Sequence, residues 1–176
     1  MKKTILIFAL LAFPVVPGQA QESKVSSSPV ADAARSWLQM EGKYLMAAAE
    51  EMPADKYGFR ATPQQMTFAH LMTHVATSNR MLCAGIAGEP APKDSGVTDA
   101  DDKEKVLADV KASFDYCSSA MAKVDDSRLG EQVPPSKRTR ANLMMLLVAD
   151  LADHYVTAAI YLRLNGLLPP TAQPKK

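Results

Sequence analysis

The sequence predicts an all-α protein, a four-helix bundle with long crossover loops. Three observations carry this reading. Apolar residues recur at helical spacing in four separate segments. Proline and glycine cluster between those segments and punctuate them. No alternating apolar–polar run is long enough for a strand. Four amphipathic helices joined by two longer connections define a bundle, and a chain of 176 residues is ample for one hydrophobic core.

The chain opens with Met1 to Ala20, which reads as a secretory signal. Lys2 and Lys3 supply its charged start and Thr4 to Val16 its apolar run, broken by Pro14. Gly18-Gln19-Ala20 places small residues where a signal peptidase reads, so cleavage is expected before Gln21. No cysteine follows the leader, which argues against a lipid anchor, and the apolar run is short for a retained membrane span. An exported protein, periplasmic or extracellular, is expected. Residues 21–29 form a polar, Ser-rich tether, residues 30–170 the bundle, and residues 171–176 a C-terminal tail.

The first helix is expected from Val30 to Met52, stopped by Pro53, with Ala33, Trp37, Met40, Tyr44, Ala47 and Ala48 as its apolar face. A loop carrying Tyr57 and Phe59 follows. Thr62-Pro63-Gln64-Gln65 then reads as a helix start: Thr62 caps, Pro63 suits the first helical position and Gln65 closes a capping box. Phe68, Leu71, Met72, Val75, Leu82 and Ile86 form the stripe of this second helix, which ends near Gly88. A crossing loop leads to Thr98-Asp99-Ala100-Asp101, the expected start of the third helix, whose buried face is Val106, Leu107, Val110, Phe114, Cys117 and Met121. After a second loop holding Pro134-Pro135, the last helix runs from about Thr139 to Asn165. Gly166 suits the left-handed cap and Pro169-Pro170 the stop. This helix is apolar almost all round, as expected of one covered by its partners.

Charge excludes one class of partner. Two of the 20 basic residues leave with the leader, so 18 face 19 acidic ones. That balance offers no electrostatic footprint for nucleic acid. Lys137-Arg138-Thr139-Arg140, the one dense basic run, is short enough for a solvated turn. Cys83 and Cys117 are an even pair in a chain bound for an oxidising compartment, which favours a disulfide between two helices.

The stretch with chemical potential is Leu147 to His154. Asp150 and His154 lie one helical turn apart, on the stripe of Leu143, Leu147 and Tyr161. Such a pair among core residues needs either a buried hydrogen-bond partner or a metal. His70 and His74, the other two histidines, are likewise one turn apart on the second helix. The i, i+4 spacing lets one helix offer two ligands, and His74 from a facing helix would complete two imidazoles and one carboxylate, a set that leaves coordination positions open. His70 is a candidate fourth ligand, an outer partner or a surface residue. Asp153 falls on a different face and is expected in solvent. No Ser/His/Asp elbow or phosphate-cradling glycine loop is present.

Phe68 to Val75, His154-Tyr155, and above all Tyr161-Leu162-Arg163-Leu164-Asn165-Gly166 with Pro169-Pro170 resemble the DinB-like (damage-inducible, YfiT-related) family. The likeness spans the chain from about Arg35 to Pro170. It implies a four-helix bundle in which one histidine of the second helix and two of the fourth bind a divalent metal. The second-helix ligand corresponds to His74 and the last to His154; the position usually held by the other histidine is Asp150 here. A carboxylate can still ligate and makes the site harder, so zinc, iron, manganese or nickel is the expected ion. Some relatives are thiol S-transferases, and a metal-dependent hydrolase is a second possibility the resemblance allows. The other reading of the chain is a non-catalytic bundle that binds a partner or small ligand. No residue identifies a small-molecule substrate. Arg163, in the last turn, has a sufficient structural role at the helix C-terminus. A homodimer through exposed bundle faces is compatible with the fold.

Overall fold

A computed structural model describes residues 26–174, so the leader, the first part of the tether and the final two residues lie outside it. Helix α1 spans Pro29–Glu51, α2 Phe68–Ala87, α3 Lys103–Met121 and α4 Arg140–Leu164. Apart from an isolated bridge between Gln132 and Thr139, no strand occurs among the described residues. Helices α1 and α4 run parallel, with Tyr44 against Tyr155 at 5.2 Å between ring centroids. Helices α2 and α3 are also parallel, which is why the loop between them must travel the length of the bundle. Packing is chiefly α2 on α3, α1 on α4, α2 on α4 and α1 on α3.

The buried face of α1 differs in part from the expected one: Ala48 is buried as read, and Tyr44 and Ala47 are half-buried. Ala33, Trp37 and Met40 are exposed, and the core-facing residues are Ala31, Ala34, Leu38, Leu45, Ala48 and Ala49. The helix carries two apolar stripes, and the one rich in small residues wins because it admits close neighbours. Gly42 shows how close: a Cβ there would stand 3.0 Å from the Phe114 ring. The bulkier stripe is left facing out.

Helix α2 begins at Phe68, not at Thr62. Thr67 is its cap, accepting the His70 backbone N–H, while the Phe68 and Ala69 N–H groups donate to the carbonyls of Phe59 and Tyr57. The preceding loop therefore satisfies the first-turn donors that a capping box further upstream would have served. That loop is pinned by aromatic packing: Phe59 sits edge-on to Tyr161 at 5.9 Å, Tyr57 meets Phe68 at 5.3 Å, and the Tyr161 hydroxyl donates to the Met66 carbonyl. Helix α3 likewise starts later than expected, capped by Asp102, because Asp101 is engaged in a turn with Thr98. The expected stripe of α2 is buried as read, and Gly166 takes the left-handed conformation after α4.

The N-terminus of α1 is capped from a distance. Ser28 makes no side-chain cap, and the Asp126 carboxylate, in the loop between α3 and α4, accepts the N–H groups of Val30 and Ala31 at 3.0 and 2.8 Å. An anion at this end also opposes the helix dipole. Asp126→Ala is expected to cost about 1–2 kcal/mol, read as a lowered melting temperature. An unchanged melting temperature would show that water caps this end equally well.

Candidate metal centre

Helix α4 is antiparallel to α2, and this brings His74 and His154 together from 80 positions apart in sequence. Their rings lie 5.0 Å apart between centroids, inclined by 40°. His154 is buried and His74 faces solvent at the edge of the α2–α4 groove. Partial burial, followed by the neighbouring His154, pulls the His74 pKa below the ordinary histidine range. The neutral imidazole, the form that ligates a metal, is thus the favoured state.

Asp150 is half-buried beside them. The Nδ1–H of His154 donates to the Asp150 backbone carbonyl, and the Asp150 carboxylate lies 3.5 Å from the same nitrogen. That contact fixes the tautomer of His154 and leaves its Nε2 as the free donor atom, the arrangement in which outer partners orient ligating histidines. His70 does not join. It turns outward to Asp99, 3.3 Å away, and is about half exposed.

The fit of these residues to a metal can be judged from the rings. Two imidazoles sharing an ion at about 2.0–2.1 Å would have centroids roughly 4.5–5 Å apart, which is the separation seen. Among the described residues no group of three or more His, Cys, Asp or Glu side chains converges on one point, because the Asp150 carboxylate sits against Nδ1 of His154. The ring separation is the one a shared ion would need, and the Asp150 carboxylate is placed at the other side of the His154 ring.

Two neighbours escaped the sequence reading. The Ser78 hydroxyl lies 3.4 Å from His74 Nε2, a contact its i, i+4 spacing could have suggested. Asp153 is exposed as expected, yet with Gln64, Gln65, Thr157 and Tyr161 it lines a pocket of about 280 Å³ that opens onto His154. Nothing in local spacing could show that the 62–66 loop folds over α4 to form this wall. On the far side of α2, Cys83 and Cys117 are buried at disulfide distance, with Cα atoms 5.2 Å apart.

The fold is an up-down-down-up helical bundle, with His74 and His154 facing each other across the groove between its second and fourth helices. The DinB superfamily model matches residues 38–158, and the chain belongs to that superfamily. Its fold is similar to that of a DinB-like protein from Bacillus subtilis, with a TM-score of 0.68 and 19% identity over 81% of this chain and 99% of that one. A DinB-like protein from Bacillus cereus is also similar, with a TM-score of 0.62 and 15% identity over 76% of this chain and 93% of that one. A comparison with the curated proteins finds no match.

Proposed function

We propose that this is an exported metalloprotein that binds a divalent ion through His74 and His154, with Asp150 as third ligand or as the partner that orients His154, and acts on a small molecule as a hydrolase or thiol S-transferase. The convergence of His74 and His154 at 5.0 Å carries the reading. The chain's own contributions follow from their surroundings. His154 is held in one orientation by Asp150, which keeps its Nε2 directed away from the helix it belongs to. His74 stays neutral. The pocket beside His154 is walled by Leu71 and Tyr161, which exclude water, and by the amides of Gln64 and Gln65, which offer donors and acceptors to a bound molecule. An ion with an open position would supply a Lewis acid and lower the pKa of a bound water or thiol.

The test is elemental analysis of protein purified without added metal, paired with melting in chelator. About one ion per chain and a melting temperature that falls in chelator are expected. Less than stoichiometric metal together with unchanged stability in chelator would sink the proposal. Because a proton competes with the ion for neutral imidazole, uptake should hold at neutral pH and fail on acidification. The lowered His74 pKa moves that loss to lower pH than for an ordinary histidine. A metal titration across pH reads it.

The second reading, a non-catalytic bundle, draws on the placement of Asp150. A carboxylate engaged with Nδ1 satisfies a buried histidine without any ion. Export is checked separately: N-terminal sequencing of the exported protein should begin at Gln21.

A further inference from the structure

Of the residues that line the pocket beside His154, Asp153 is the one acid, and none is a lysine or an arginine. Arg60 is close enough to Tyr161 for its charge to be felt there, yet it is not part of the lining. Acids elsewhere on the surface are already engaged: Asp99 with His70, Asp101 with Lys105, Asp115 with Lys111 and Glu131 with Arg128. Asp153 differs. Three residues along from the Asp150 contact with His154, its carboxylate has no ion pair or hydrogen bond among the described residues. The side-chain amides of Gln64 and Gln65, on the loop wall of the same pocket, are likewise unengaged.

An unpaired carboxylate on a pocket wall favours a ligand that brings a positive charge to it and disfavours one that brings a negative charge. Asp153 is exposed, so solvent screens the pair and the gain over a neutral group is roughly 5-fold. The two glutamine amides carry no charge and serve either kind of ligand as donors and acceptors. Leu71 and Met66 supply apolar surface for a short carbon skeleton. At about 30 Å³ for each water-sized group, the 280 Å³ of this pocket holds on the order of ten non-hydrogen atoms. An ion at the histidine pair does not reverse the preference. Its two positive charges would be offset by the carboxylates of Asp150 and Asp153, so an ammonium group at Asp153 meets no net opposing charge.

We infer that the molecule acted on is a small amine, its ammonium group held at Asp153 and its reacting end at the His74–His154 pair. Asp153 is then the residue that decides specificity, by selecting cationic over neutral and anionic ligands. The inference rests on the pair being the reactive centre, and its test is read separately from metal binding.

Titration with n-butylamine, an ammonium ion at neutral pH, and with 1-butanol, its neutral counterpart of the same length, reads the charge preference. Shifts of the Gln64 and Gln65 side-chain amides in two-dimensional NMR report where each probe binds. Butylammonium is expected to bind roughly 5-fold more tightly at low salt, with the preference fading as salt is raised. Asp153→Asn should erase the preference and Asp153→Glu should keep it, with metal content unchanged in both. The same titration in chelator keeps the charge test independent of any ion. A preference there, in protein that takes up no metal, would defeat the metal centre and leave the amine site standing. Equal or tighter binding of 1-butanol, or a preference that survives Asp153→Asn, would overturn the inference. So would shifts that map away from the pocket, or no shift from either probe up to about 0.1 M.

Discussion

His154→Ala is expected to abolish stoichiometric metal uptake, weakening affinity by more than the roughly 100-fold that loss of an orienting partner costs. His154 is buried and its Nε2 is the donor atom left free once Nδ1 is bonded to Asp150. No other histidine can substitute, since His70 is turned to Asp99 on the outer side of α2. His74→Ala should have the same consequence with less effect on stability, because His74 stands at the solvent edge. His70→Ala should leave uptake unchanged. Asp150 separates two versions of the site. If its carboxylate ligates, Asp150→Asn lowers affinity severely and the metal's absorption edge or hyperfine spectrum changes with it. If it only orients His154, the loss is about 10–100-fold and the ligand spectrum stays the same. Asp150→His that tightens binding would mark the carboxylate as a weakened ligand position. Weaker binding in Asp150→His would mark a site adapted to oxygen. Full metal content in His154→Ala would remove the proposed centre altogether.

Cleaving the Cys83–Cys117 link, which we propose forms in the oxidised protein, is expected to cost about 3–4 kcal/mol. The estimate follows from the entropy of closing a loop with a sequence separation of 34 residues. The link would tie α2 to α3 across the loop that crosses the bundle. Arg80 and Asp109, both largely buried, hold the same pair of helices by an ion pair, so the reduced chain keeps its fold while losing stability. For a chain of this size such a loss corresponds to a fall in melting temperature of roughly 6–16 °C. The Cys83→Ala, Cys117→Ala double variant should melt close to the reduced protein, lower still by the small cavities it opens. Mass mapping without reductant that finds both thiols open to alkylation would defeat this expectation.

The proposed metal and disulfide would join different helix pairs. Chelation is then expected to loosen α2 from α4, and reduction to loosen α2 from α3. Their effects on stability should therefore be close to additive. That makes the double treatment a check on both assignments.

Much of the fold was legible because helical periodicity is a local property. The stripe of α2, the cap at Gly166 and the aromatic loop at Tyr57 and Phe59 all follow from spacing and residue type alone. The start of α2 was not legible. Thr62-Pro63-Gln64-Gln65 has the chemistry of a cap, but the carbonyls of Tyr57 and Phe59 take the first-turn N–H groups and move the start to Phe68. The facing of α1 was hidden for a related reason. Two stripes compete on that helix, and the close approach of Phe114 to Gly42 selects between them.

The candidate site divides the same way. The residue types and the one-turn spacing of Asp150 and His154 were determined by the sequence, as were the four helices and the even pair of cysteines. Only the tertiary structure decided that α2 runs antiparallel to α4, and hence that His74 meets His154 while His70 turns away. It also placed the Asp150 carboxylate on Nδ1 of His154 and folded the 62–66 loop over α4 to make a pocket beside it. Helical phase is set by a few neighbours along the chain. Which helices meet, at what height and in which direction is set by how all four share one core, and no local pattern carries that information.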